Sequence, residues 1–167
     1  MRRIWSLIIL LFSLVGISKA QEENLIASAI YNFTRFIDWP DEGSANFYID
    51  IIGHKSVYEK LTELAAGRRV GTRVITVRYF ENINNLSTSQ IVFLGFWQSK
   101  DISTVNIKTG DAHTLIISEK DGLIEAGAGI NFVIRNNSIK FEIKRSNIVR
   151  HGLGLNSQLE QMAFKIY

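Results

Sequence analysis

The spacing of apolar positions changes several times along the chain, and each change marks an element. From Glu22 onward, Leu25, Ile26, Ala29, Ile30, Phe33, Phe36 and Ile37 recur at three- and four-residue intervals, as on one face of an amphipathic helix. Pro40, the only proline, biases Trp39 away from helical angles, so this helix is expected to end near Asp38. Residues 47–52 ("FYIDII") read as a strand closing at Gly53. Residues 56–66 read as a helix with Val57, Leu61 and Leu64 on one side. Residues 74–80 ("VITVRYF"), 91–94 ("IVFL") and 114–118 ("TLIIS") read as further strands. A short helix is expected within 100–106 and one helical turn at 123–126.

The pattern then shifts. Residues 130–135 and 138–144 form two strands joined by Asn136-Asn137, and asparagine tolerates the left-handed angles of a hairpin turn. Residues 145–151 look helical, with Gly152 as the stop. Ser157-Gln158-Leu159-Glu160 matches a capping box and opens a last helix to Phe164 or beyond. Strands that alternate with helices and are apolar throughout predict a largely parallel sheet covered on both faces. The expectation is a single three-layer α/β domain, its mainly parallel sheet ending in a C-terminal antiparallel hairpin.

The first twenty residues belong to a different class. Arg2 and Arg3 precede a nearly continuous apolar run over residues 4–17, and Ser18 and Ala20 place small residues where a signal peptidase reads. This predicts a secretory signal peptide over 1–20, cleaved after Ala20, and a mature domain over 21–167. The formal charge of +3 then changes meaning. Arg2, Arg3 and Lys19 supply it, leaving 16 basic and 16 acidic residues in the mature part. A neutral domain lacks the excess basic charge that nucleic acid requires. The absence of cysteine removes disulfides, thiolate metal sites and cysteine nucleophiles.

Little catalytic chemistry is legible. His54, His113 and His151 stand in no metal-binding spacing, no GxSxG elbow is present, and no cofactor or metal is called for. Gly127-Ala128-Gly129 reads as a tight turn and Gly152-Leu153-Gly154 as a helix stop. Ligands of open parallel sheets bind beyond the carboxyl ends of the strands. Here those ends supply His54, Phe96, Trp97, Ser118 and Glu119, a candidate apolar pocket with a few polar groups. The alternative is that these are ordinary loop residues at strand ends, with Phe96 and Trp97 only capping the core. Phe33, Phe36 and Trp39 are read as anchors of the first helix on the sheet.

Over nearly its whole mature length the chain resembles the YfiR-like family of periplasmic regulatory proteins. One signature is Ala27 or Ala29 followed by Tyr31-Asn32-Phe33, Phe36 and Trp39-Pro40. The other is Gly129-Ile130-Asn131-Phe132, Phe141-Glu142-Ile143, Gly152-Leu153, then Ser157 and Leu159. The "IIG", "GRRV" and "ISEKDG" stretches fall between them in the expected order. The resemblance implies a non-enzymatic exported domain that restrains an inner-membrane diguanylate cyclase by binding its periplasmic part, so controlling cyclic-di-GMP and biofilm. It also associates the region of Ile130, Glu142 and Ile148 with partner contact, and these three are expected to meet on one exposed face if the hairpin lies at a sheet edge. The chain departs from the family in lacking cysteines and in having Lys144 after "FEI", where asparagine is common. A periplasmic small-molecule sensor or carrier using the strand-end pocket is the alternative function. A homodimer is left open.

Overall fold

A computed structural model describes residues 18–41 and 43–167. Residues 1–17, and with them most of the expected export signal, lie outside the described residues. The first helix, α1 (Lys19–Phe36), is capped by Ser18, whose side chain accepts from the Gln21 N–H. The expected cleavage point therefore falls inside its first turn. The helix ends two residues sooner than its apolar spacing suggests. Ile37 adopts extended angles, and β1 (Ile37–Asp38) leaves the helix to pair antiparallel with β9 (Gly154–Leu155). That ladder, rather than Pro40, terminates α1.

The remaining elements are β2 (Asn46–Ile52), α2 (Lys55–Ala65), β3 (Arg69–Val70), β4 (Arg73–Phe80), β5 (Ile91–Leu94), α3 (Ile102–Thr109), β6 (Leu115–Ser118), β7 (Ile130–Arg135), β8 (Ser138–Ile143), α4 (Arg145–Arg150), α5 (Ser157–Met162) and β10 (Lys165–Ile166). The main sheet has the order β10-β8-β7-β6-β5-β2-β4-β3. Its five central strands, from β7 to β4, run parallel. The strand β3 pairs antiparallel with β4 and β8 antiparallel with β7, and β10 lies parallel to β8.

Successive residues of a strand point to opposite faces, and both faces are covered. Phe47, Ile49 and Ile51 join Ile91, Phe93, Leu115, Ile117, Ile130 and Ile143 in one core, beneath apolar residues of α1, α2, α4 and α5. Ile52, Val92, Leu94 and Ile116 face the other way, against Ile102 and Val105 of α3. Phe33 of α1 sits in the first core, stacked on Phe132 at 6.0 Å and edge-on to Phe141 at 5.3 Å. Burying such a side chain contributes about 1.5–3 kcal/mol. The mainly parallel three-layer α/β architecture read from the sequence is the one observed.

Several local expectations need correction. Residues 123–126 form a chain of turns, not a helical turn. The expected 100–106 helix is a 3-10 turn (Gln98–Asp101) leading into α3. Ser157 is not the cap of α5. Asn156 is, its side chain accepting from the Gln158 N–H at 2.8 Å. The chain leaves α5 at Met162 and forms β10, which covers the end of β8. The hairpin itself is as expected: Asn136 and Asn137 have φ of 49° and 55°, the left-handed pair that a two-residue turn between twisted strands requires. Among the described residues, no helix is long and apolar enough to cross a membrane.

Candidate functional site

After β2 the chain goes to β4 on one side, then returns to place β5 on the other. The carboxyl ends of β2 and β5 therefore flank the point where the winding reverses, the usual ligand crevice of such sheets. A Cβ at Gly95 would meet the Ile52 carbonyl oxygen at 3.1 Å, so glycine lets the two ends close together. Here His54 Nε2 stands 3.6 Å from Glu119 Oε1, an ion pair too long for a hydrogen bond. The other carboxylate oxygen accepts the Phe96 N–H at 3.2 Å. Burial pulls the His54 ring toward its neutral form. The facing Glu119 carboxylate, with the charge of Glu23, more than reverses this and holds its pKa above the ordinary histidine value.

The five strand-end residues are only partly brought together. Phe96 and Glu119 line a cleft of about 180 Å³ with Glu22 and Ile26 of α1 and with Phe132 and Ile134 of β7. His54 reaches it through Glu119. Trp97 is 77% exposed and packs edge-on against Phe96 at 5.2 Å, so it does not cap the core. Ser118 is fully buried and its hydroxyl donates to the Asn131 side-chain oxygen. The cleft is smaller than the ~300–1,000 Å³ usual for a small-molecule site, and its carboxylate is already engaged.

Ile130, Glu142 and Ile148 do not form an exposed face. Their exposures are 0%, 4% and 1%. The physical reason is β10: it pairs Lys165 with Glu142 and Ile166 with Ile143, so the hairpin is not the sheet edge. Ile130 and Ile148 belong to the larger core. Glu142 lies in register with Asn131, and Asn131 with Ser118, forming a polar row across three strands. Arg135 stands 3.7 Å from Glu142 and holds Asp121 with two hydrogen bonds, at 2.9 and 3.0 Å. Charge reversal at Glu142 would place a buried cation beside Arg135, so the tolerance expected of a solvated site does not apply. Lys144, the departure from the family pattern, pairs with Glu125.

Other groups had no advance signal in spacing. His113 and His151, 38 positions apart, meet in a reciprocal clamp: His113 Nδ1 lies 3.0 Å from the His151 carbonyl, and His151 Nδ1 lies 3.0 Å from that of Ala112. A carbonyl only accepts, so both Nδ1 atoms donate. Burial, with Arg150 and His113 adding to it, pushes the His151 pKa down. Asp50, fully buried in β2, receives Arg78 of β4 at 2.7 and 2.9 Å. Burial raises the Asp50 pKa despite that partner. A lone carboxylate inside "FYIDII" was the sign that a buried counter-charge had to exist. Asn147 donates from one side-chain nitrogen to the Ile124 and Ala128 carbonyls, at 3.0 and 2.8 Å, which pins the turns before β7.

These features define a single α/β domain whose strand-end polar groups chiefly hold one another. The chain belongs to the YfiR/HmsC-like family, which it matches over residues 23–163. The family comprises periplasmic regulators rather than enzymes. No curated protein matches the chain.

Proposed function

We propose that the chain is exported, loses residues 1–20, and acts in the periplasm by binding and restraining a membrane signalling enzyme, a diguanylate cyclase, through that enzyme's periplasmic part. Relief of the restraint raises cyclic-di-GMP and favours biofilm. The observation that carries this reading is the family match over residues 23–163. The neutral mature charge supports a protein partner over nucleic acid. The chemistry of the β10 edge also supports it. Met162, Phe164, Ile166 and Tyr167 are all exposed there, and aromatic residues and methionine are enriched in protein interfaces. Glu142 and Ile148, with Ile130, act from beneath that edge by fixing β8 and α4.

The test is a pull-down from membranes with tagged mature protein, alongside cyclic-di-GMP measurement in cells. Ile166→Glu at an exposed position leaves stability within ~0.5 kcal/mol. It is expected to reduce cyclase recovery and raise cyclic-di-GMP. Normal recovery and repression by this variant would reject the β10 edge as the contact. Failure of the wild-type protein to recover any cyclase would reject the restraint itself. The sensor reading at the strand-end cleft is the weaker one, given the small volume and the engaged Glu119.

A further inference from the structure

At the other end of the sheet, where β4 begins, a cavity of about 580 Å³ opens between the last turn of α1, the segment after it and the β3–β4 hairpin. Its charged lining is Arg35, Asp38, Asp41, Arg69 and Arg73. None of the five is in a salt bridge among the described residues. Arg35, Arg69, Asp38 and Asp41 are exposed, where solvent suffices. Arg73 is different. It is 6% exposed, and its Nη1 is buried without a hydrogen-bond partner among the described residues. A desolvated guanidinium with an unused donor is costly unless an anion completes it.

The surroundings hold this group in position. The Arg73 guanidinium lies 5.2 Å from the centre of the fully buried Phe47 ring. Trp39 packs edge-on against the same ring at 4.9 Å and donates from Nε1 to the Thr34 carbonyl at 3.0 Å. Phe47 thus sets a cationic donor and an apolar indole side by side on the cavity wall. Arg69 is fixed at the rim by donating to the Thr72 carbonyl at 2.5 Å, which leaves further donors free. Among the described residues, three arginines against two aspartates leave the lining one positive charge.

We infer that this cavity binds a small organic monocarboxylate, its carboxylate on Arg73 with Arg69 at the rim and its apolar body against Trp39. Guanidinium suits a carboxylate because its fork gives two parallel hydrogen bonds. The single net charge of the described lining favours a monoanion over a multiply charged one. The volume lies within the ~300–1,000 Å³ of small-molecule sites. The site is separate from the β10 edge, and its test does not depend on the restraint reading.

The experiment is calorimetric titration of the mature protein with benzoate, with benzamide as a neutral control of the same shape. Benzoate is expected to bind and benzamide not to. Arg73→Met is expected to abolish benzoate binding. The second variant, Arg69→Gln, sits at an exposed position where folding is not at stake, and is expected to weaken binding by about tenfold through loss of a charge-assisted contact. No benzoate binding by the wild-type protein, equal binding of benzamide, or unchanged affinity in Arg69→Gln and Arg73→Met would each overturn the proposal.

Discussion

Strand β4 carries an arginine near each end, and the two are solved differently. Both guanidiniums lie over aromatic rings of β2: Arg73 at 5.2 Å from Phe47, Arg78 at 4.2 Å from Tyr48. Arg78 also meets Asp50 in a two-bond ion pair and donates to the Thr88 carbonyl at 3.2 Å. Arg73 has the ring but no anion among the described residues, and it borders the larger cavity. The two arginines separate structural from functional charge within one strand. A buried cation whose donors are met within the chain holds the fold together. A buried cation with a donor left over among the described residues is a candidate for an outside partner. The histidines repeat the contrast more weakly. His54 faces Glu119, whereas His151 keeps its Nε2 buried and unpartnered.

The largest effect is expected at the satisfied end. Arg78→Met strands the fully buried Asp50 without its counter-charge, and breaking such a pair costs ~3–5 kcal/mol, readable by urea denaturation. A loss below about 1 kcal/mol, the median worth of a surface pair, would show that Asp50 is satisfied without Arg78. Next comes Trp39→Ala, which removes a half-buried indole and its hydrogen bond from the cavity wall. A loss of ~3 kcal/mol is expected, the lower end of the range for tryptophan truncation. Such a loss would show that the cavity end is firmly packed although Arg73 has no partner among the described residues. An unchanged melting curve would mean that the indole serves the cavity alone.

The smallest effects are pH-dependent and opposite in sign. The folded chain binds the His54 proton more tightly than the unfolded chain does, because the pKa is raised. That contribution is complete below about pH 6.5 and is lost as pH rises through the folded-state value. His151 behaves in reverse, because its pKa is lowered. Its contribution is present above about pH 6.5 and is lost as pH falls toward the folded-state value. His54→Gln should therefore flatten the alkaline side of a melting temperature–pH profile, and His151→Gln the acid side. Identical profiles for both variants would break the paired-versus-unpaired distinction at the histidines.

Sequence legibility followed the range of the interactions. The central strands were readable because both-face burial writes apolar runs such as "IVFL", and the hairpin because Asn136-Asn137 carries its own turn chemistry. The four strands β1, β3, β9 and β10 are two residues each and owe their pairing to partners distant in sequence or to a short turn. Only β3 had a local sign, Gly71-Thr72 between Val70 and Arg73, where a tight turn fits. Missing β10 had the largest consequence, since it turned Glu142 from an expected surface residue into a buried one. Of the strand-end residues, Phe96 and Glu119 reach the cleft, where the rule for parallel sheets looks for ligands. Ser118 does not, because strand parity sends it to the opposite face. The larger cavity was not anticipated at all. It joins Arg35 and Trp39 to Arg69 and Arg73 across the sheet end, and no local spacing encodes that meeting.

The most direct test of the account is a side-by-side urea denaturation of the wild-type protein, Arg73→Met and Arg78→Met without added carboxylate. The account predicts that Arg78→Met loses ~3–5 kcal/mol. Arg73→Met is expected to stay within about 1 kcal/mol of wild type or to gain stability, since relief of an unpaired buried charge offsets the ~0.5–2 kcal/mol of the ring contact. Equal, large losses in both variants would contradict it, because Arg73 would then be a structural residue already satisfied by the fold.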